Sequence, residues 1–158
     1  MRLLLILIFV SFFTLIGPAF GDLNSDVIAD GLNNPWEIVF GPDEEIYFTE
    51  RDGRIWKMDV SGNAKVIHTF PNSGSVEGGT LGLALHPEFK NNKKIYVYQT
   101  NLEIDLYQNK VFSFKVVDDA LTDKQLIIDN IPGAPWHDGG RLQFGPDKKL
   151  YISTGDAI

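Results

Sequence analysis

Three residues carry the chemistry that spacing alone can suggest: His137, Asp156 and Glu77. Arg141 to Phe144 and Leu150 to Thr154 read as a hairpin turning about Asp147, so facing residues should have numbers that sum to about 294. Asp156 then falls opposite position 138, next door to His137 and within reach of an imidazole nitrogen if no bulge intervenes. A carboxylate that holds one nitrogen of a histidine fixes its tautomer and leaves the other nitrogen free to take a proton, which is the arrangement of a general base with its orienting partner. His137 precedes Pro146 by nine residues and Glu77 precedes Pro87 by ten, so the two occupy nearly the same station in successive units of the chain. The same spacing admits a plainer reading, in which His137 is a loop histidine and Asp156 caps a tight Thr-Gly-Asp turn.

Other chemistries find less support. No Gly-x-Ser-x-Gly nucleophile, no HExxH and no calcium loop of the EF-hand kind occurs. Asp22, Asp26 and Asp30 have ligand-like spacing but lie near the leader, where solvated acids are commonplace. His68 alternates within a strand, and His86 fills a turn slot that glycine holds elsewhere. With no cysteine, the chain has no thiolate for catalysis or zinc and no disulfide to lean on.

The elements that must position these residues are repeats. Phe-Gly-Pro-Asp occurs at Phe40 to Asp43 and again at Phe144 to Asp147, each followed by a charged pair and an Ile-Tyr-Phe-Thr or Leu-Tyr-Ile-Ser strand. A looser copy runs through Leu85-His86-Pro87-Glu88 to Lys94–Tyr98. Two short apolar strands around such a turn cannot bury their own face, so the copies must stack. Apolar residues alternate in short runs and predict strands at Trp36–Phe40, Ile46–Glu50, Arg54–Val60 and Ala64–Phe70. A second group comes at Leu81–Leu85, Lys94–Thr100, Lys110–Val117 and Gln125–Asp129, with turn material at Asn91-Asn92, Asn101 to Gln108 and Asp118-Asp119. Arg141–Phe144 and Leu150–Thr154 begin a third, and no helix is predicted after the leader.

Four strands, four strands and two predict an all-β fold of β-propeller blades, with the turn prolines 45 and 59 residues apart. About two and a half blades cannot close a ring, so the chain reads as the N-terminal part of a longer propeller. A complete sandwich of about ten strands is the rival, though it gives no reason for the periodic Gly-Pro-Asp turn. In a propeller the first strand of each blade lines the channel, and the loops entering those strands form one mouth. Glu77-Gly78-Gly79-Thr80 and Trp136-His137-Asp138-Gly139-Gly140 are such loops, and their glycines would let a flat ligand approach the backbone.

Composition sets the compartment and excludes some partners. Met1-Arg2, the apolar run Leu3–Ile16 and Gly17-Pro18-Ala19-Phe20-Gly21 read as a secretory signal peptide over residues 1–21, which places residues 22–158 in the periplasm or outside the cell. A membrane is a partner only if this segment stays uncleaved. The net charge is −7 at pH 7, and the leader holds only Arg2, so residues 22–158 are more acidic still; nucleic acid is excluded as a partner.

Gly31–Trp36, Thr49–Ile55, Glu77–Phe89, and above all His137–Leu142 with Tyr151–Asp156 resemble the soluble glucose and sorbosone (aldose sugar) dehydrogenases that depend on pyrroloquinoline quinone (PQQ). The resemblance runs from Asp30 to the last residue. It implies a six-bladed β-propeller that holds PQQ over the channel mouth and oxidises an aldose at its anomeric carbon to the lactone, passing the electrons to an external acceptor. It implies His137 as the base, Asp156 as its orienter, Glu77 and His137 as contacts to the cofactor, and Glu77 and Trp136 as contacts to the sugar. Trp136 stands where glucose-oxidising relatives carry an acidic residue. The residues that grip the quinone's carboxylates, and the ligands of a calcium ion, are expected in later blades, so the segment alone is expected to be inactive. Two alternatives share the fold: a partner-binding propeller resembling the hedgehog-interacting ectodomains, usually rich in cysteine, and a metal-dependent lactonase-type hydrolase.

Overall fold

The computed structural model describes residues 24–42, 44–71, 76–103 and 106–158. The expected leader at 1–21 and Asp43 of the first Pro-Asp turn lie outside the described residues. The chain forms β1 (Pro35–Phe40), β2 (Ile46–Glu50), β3 (Arg54–Met58), β4 (Ala64–Thr69), β5 (Thr80–Leu85), a one-turn helix α1 (Phe89–Asn92), β6 (Lys94–Glu103), β7 (Leu106–Val117), β8 (Ala120–Pro132), β9 (Gly139–Phe144) and β10 (Leu150–Thr154). Strands pair with their sequence neighbours, antiparallel, into sheets β1-β2-β3-β4 and β5-β6-β7-β8 and the pair β9-β10. Ten strands sorted into successive meanders are blades; a sandwich would place them in two facing sheets.

Two differences from the sequence reading have physical causes. Residues 101–103 and 106–108, part of the stretch expected as a turn, extend the β6–β7 ladder, with Asn101 opposite Gln108 and Leu102 opposite Tyr107. Polar residues suit an exposed hairpin arm as well as a turn, and only cross-strand pairing tells them apart. Asn91-Asn92 belongs to α1, which ends on Lys93 in the left-handed region (φ 54°) with its N–H bonded to Phe89 O.

Between the first two blades, Tyr47, Ile55, Ile67 and Phe70 pack on Leu83, Phe89, Ile95, Val97, Phe112 and Phe114. On the other face of the second blade, Leu81, Ala84, Tyr98 and Val111 pack on Leu142 of β9. The second sheet is therefore apolar on both faces, as a blade between two others must be, each fully buried large side chain contributing roughly 1.5–3 kcal/mol. The second blade's first strand lies between the other two hairpins: Thr49 Oγ1 of β2 donates to Leu81 O of β5 (2.6 Å), and Gly82 of β5 lies so close to Gly140 O of β9 that a Cβ would collide with it.

All three first hairpins carry the same irregularity. In β1–β2, β5–β6 and β9–β10 the register shifts by one between Pro35 and Ile38, between Thr80 and Leu83, and between Gly139 and Leu142. One extra residue thus enters the inner strand at the same end of every blade, which bends that end and re-aims the loop before it.

Candidate functional site

The bulge decides where Asp156 goes. Leu150 pairs with Phe144 and Ile152 with Leu142, as the hairpin arithmetic expects, but Thr154 pairs with Gly139. Beyond that shift the residue opposite Asp156 is 137 rather than 138. The expected pairing depended on an unbroken ladder; the ladder is broken, and the break improves the match. Ala157 N donates to His137 O (3.3 Å) and Gly155 N to Asp138 O (3.2 Å), so β10's end is stitched to this loop. His137 Nδ1 lies 3.1 Å from Asp156 Oδ1. Both side chains are more than half exposed, and Nε2 of His137 has no protein partner among the described residues. The pair presents an imidazole with one nitrogen anchored on a carboxylate and the other open to solvent.

Glu77 comes to the same mouth. Its N–H donates to Pro135 O (2.9 Å), and its Oε2 accepts from the His137 N–H (3.2 Å). The loops before β5 and β9 are thereby tied to each other. Arg51 joins from the first blade, donating through its guanidinium to Val76 O (2.8 Å) and through its carbonyl accepting from Thr80 N (3.2 Å). Trp136 is 44 % exposed beside the histidine. Two of the glycines also allow close backbone packing: a Cβ on Gly79 would strike Arg51 O, and one on Gly139 the Thr154–Gly155 backbone.

His68 and His86 are structural. His68 packs on Phe70 and Phe114 with ring centroids 4.8 and 4.9 Å away, and burial, with Lys124 nearby, lowers its pKa. His86 Nδ1 accepts from Glu88 N (3.0 Å) in its turn. Among the described residues no group of three or more His, Cys, Asp or Glu is arranged to hold a metal ion. None of their helices is long and apolar enough to cross a membrane.

The sequence reading passed over two groups. Glu37 on β1 is buried, and both its oxygens lie 2.7–2.8 Å from one guanidinium nitrogen of Arg141 on β9, which also sits over the Trp36 ring at 5.2 Å. Burial raises the Glu37 pKa, against the pull of Arg141. The pair spans the channel wall from first blade to third beside a cleft of about 500 Å³ lined by Leu83, Ala84 and Gln143 among others. The second group centres on Asp138, 3 % exposed, whose Oδ1 accepts from Asn109 Nδ2 (2.8 Å) and Ala134 N (3.0 Å). Tyr98 donates its hydroxyl to Asp138 O (3.0 Å), and burial followed by the Asp138 charge raises the Tyr98 pKa. The signal for Asp138 was available: an acid directly after the histidine and before a Gly-Gly pair.

The family follows from this fold and mouth taken with the chain's relatives. The chain belongs to the glucose/sorbosone dehydrogenase family, whose model matches residues 32–158. It is 32 % identical over 148 residues to quinoprotein glucose dehydrogenase B of Acinetobacter calcoaceticus, covering 85 % of this chain and 31 % of that protein. It is 29 % identical over 152 residues to the mouse hedgehog-interacting protein, covering 83 % of this chain and 22 % of the relative. Among solved structures, the PQQ-bound aldose sugar dehydrogenase of Streptomyces coelicolor superposes with a TM-score of 0.77 at 30 % identity, over 84 % of this chain and 41 % of that one. The fold class is thus that of the six-bladed propellers, with two blades and the first hairpin of a third among the described residues. The chain spans about a third of the length of the curated quinoprotein it matches.

Proposed function

We propose that residues 22–158 are the N-terminal part of a propeller that oxidises an aldose at its anomeric carbon to the lactone with PQQ, and that His137 is its general base. The observation that carries the proposal is the 3.1 Å contact between His137 Nδ1 and Asp156 Oδ1 at an open mouth where Nε2 is unengaged. The family and the PQQ-bound relative supply the class of reaction.

The residues present fit the reactive edge of a quinone. A base, the Glu77 carboxylate and the Arg51 guanidinium converge from three blades, and the mouth is open above them. His137 and Glu77 would touch the group, and Glu77 and Trp136 the sugar. Bound PQQ supplies an electron-poor carbonyl that accepts the hydride of the anomeric carbon, and an external acceptor later removes the electron pair.

The chain's own part is the proton. A neutral alcohol is a poor hydride donor, so the anomeric O–H must give up its proton as the C–H bond breaks and the C=O bond forms. His137 Nε2 takes that proton. Asp156, bonded to Nδ1, keeps the lone pair on Nε2 beforehand and balances the imidazolium afterwards. Glu77 holds the His137 main chain through Oε2, which leaves Oε1 to meet a hydroxyl. The flat face of Trp136 suits the C–H face of a sugar ring.

The test uses the protein expressed from its whole reading frame, loaded with PQQ and calcium and offered a panel of aldoses. His137→Ala is expected to lower kcat on the order of 10²–10⁴-fold, the usual worth of a positioned base. Undiminished turnover in that variant would remove the proposal.

A further inference from the structure

Resting on the reading of His137 as base, we infer that Asp138 is the positioning residue that sets its imidazole against Asp156. His137 has φ 60°, in the left-handed region that is uncommon for any residue but glycine, so the contacts that hold its backbone there matter. Glu77 and Ala157 N hold its own N–H and carbonyl, and the buried contacts converge on its neighbour. Asp138 Oδ1 accepts from the side chain of Asn109 on β7 and from Ala134 N, closing the loop 134–138 on itself. Asn109 is itself pinned, donating to Pro132 O (2.8 Å) and accepting from Thr100 Oγ1 (2.7 Å). The Asp138 carbonyl accepts from Tyr98 OH of β6 and Gly155 N, one residue before Asp156. One buried residue therefore joins the second blade, the His137 loop and the strand end that carries the orienting carboxylate.

The second oxygen of Asp138 points the same way. Oδ2 is buried and has no hydrogen-bond partner among the described residues. A buried carboxylate with an unpaired oxygen is costly, and such a group is retained where the geometry it enforces is worth more than its own desolvation. The unpaired oxygen also makes a clean substitution available. In Asp138→Asn the carbonyl oxygen can keep both accepted bonds while the amide nitrogen takes the place of Oδ2, so the clamp survives and only the charge goes. In Asp138→Ala both bonds to Oδ1 are lost, and only the main-chain carbonyl's contacts with Tyr98 and Gly155 remain.

The experiment uses the protein from its whole reading frame and reads the ring ¹⁵N shifts of His137 without cofactor or sugar, at alkaline pH where the imidazole is neutral. In the wild type and in Asp138→Asn a single tautomer is expected, with the proton on Nδ1. In Asp138→Ala the shifts should move to those of a mixed, exposed imidazole, and in the loaded enzyme kcat should fall at least about tenfold with KM changed by no more than about twofold, a loss confined to the transition state. If Asp138→Ala does not fold, Asn109→Ala, which removes one partner of Oδ1, replaces it and should shift His137 in the same direction. A folded Asp138→Ala or Asn109→Ala protein with wild-type His137 shifts would overturn the inference. Because the shifts are read without sugar or quinone, a failed dehydrogenase reading would show as absent turnover while the tautomer change persisted.

Discussion

At the residue scale, on the proposed reading the two carboxylates around His137 have different jobs, and substitution should separate them. Asp156→Asn keeps a side chain of the same shape but can present an N–H to Nδ1 and so favour the wrong tautomer. Steady-state kinetics of the loaded enzyme should show kcat lowered on the order of 10²-fold or more with KM little changed, as expected when an interaction made chiefly in the transition state is lost. Glu77→Gln retains an oxygen for the His137 amide and should cost less than about fivefold, whereas Glu77→Ala should cost more and raise KM, since the same side chain is expected at the sugar. Equal losses for Gln and Ala would mean that the charge rather than the amide contact matters. His137 and Glu77 were legible as candidates from their stations nine and ten residues before a turn proline, and Asp156 from the count across the hairpin. The burial of Asp138 and the pairing of Glu37 were not, because partner identity is a tertiary fact: the partners Asn109 and Arg141 lie 29 and 104 residues away.

At the element scale, the three matching bulges explain a success that came for the wrong reason. Straight hairpin counting put Asp156 opposite 138, and a carboxylate there would have faced a residue whose own side chain is buried. One extra residue in β9 moves the pairing to 137. Bulges leave no mark in composition, and only the repetition of the shift in β1, β5 and β9 identifies it as part of the blade's design. The backbone-on-backbone approach of β5 and β9 makes a further prediction. Gly82→Ala places a methyl group against Gly140 O and the Leu142 amide, which cannot yield as a side-chain tip would. The expected cost is about 1–3 kcal/mol, seen as a lower thermal midpoint, with loss of activity in the folded fraction because β9 leads out of the His137 loop. The strands themselves were legible from alternation and turn chemistry. The β6–β7 arm was not, since Asn101, Gln108 and Asn109 have the composition of a turn and owe their strand conformation to one another.

At the scale of the whole molecule, stability against acid should fall in two separate windows. His68 lies between the first and second blades against Phe70 and Phe114, and its pKa is lowered by burial and then by Lys124. A depressed folded value means that its contribution is fully present above the unfolded value of about 6.5 and is lost as pH falls through the folded value. Asp119 and Asp123 are also depressed, by hydrogen bonds from Lys57 and Lys115, but their contributions are lost only as pH falls from the ordinary carboxylate value through the lowered folded one. Thermal midpoints measured from neutral to mildly acidic pH should decline in the wild type and hold nearly level in His68→Leu, while both proteins weaken together in strong acid. A decline of the same size in both would assign the mild-acid loss to another group. Stacked blades were legible from the repeated Phe-Gly-Pro-Asp phrase, because a unit that cannot bury its own face must lean on a copy. Which aromatic rings meet between blades was not, since nothing local to His68 or Phe114 names its opposite number.

The hydrogen bond from the His137 amide to Glu77 belongs to two blades at once. A guest that drew Glu77 toward its own hydroxyl would slacken the main chain of the very residue asked to deprotonate it, while one that engaged only the outward oxygen would leave it taut. On the proposed dehydrogenase reading, discrimination between sugars is then exercised through the stiffness of the base, by hydroxyl geometry at a distance from the carbon being oxidised.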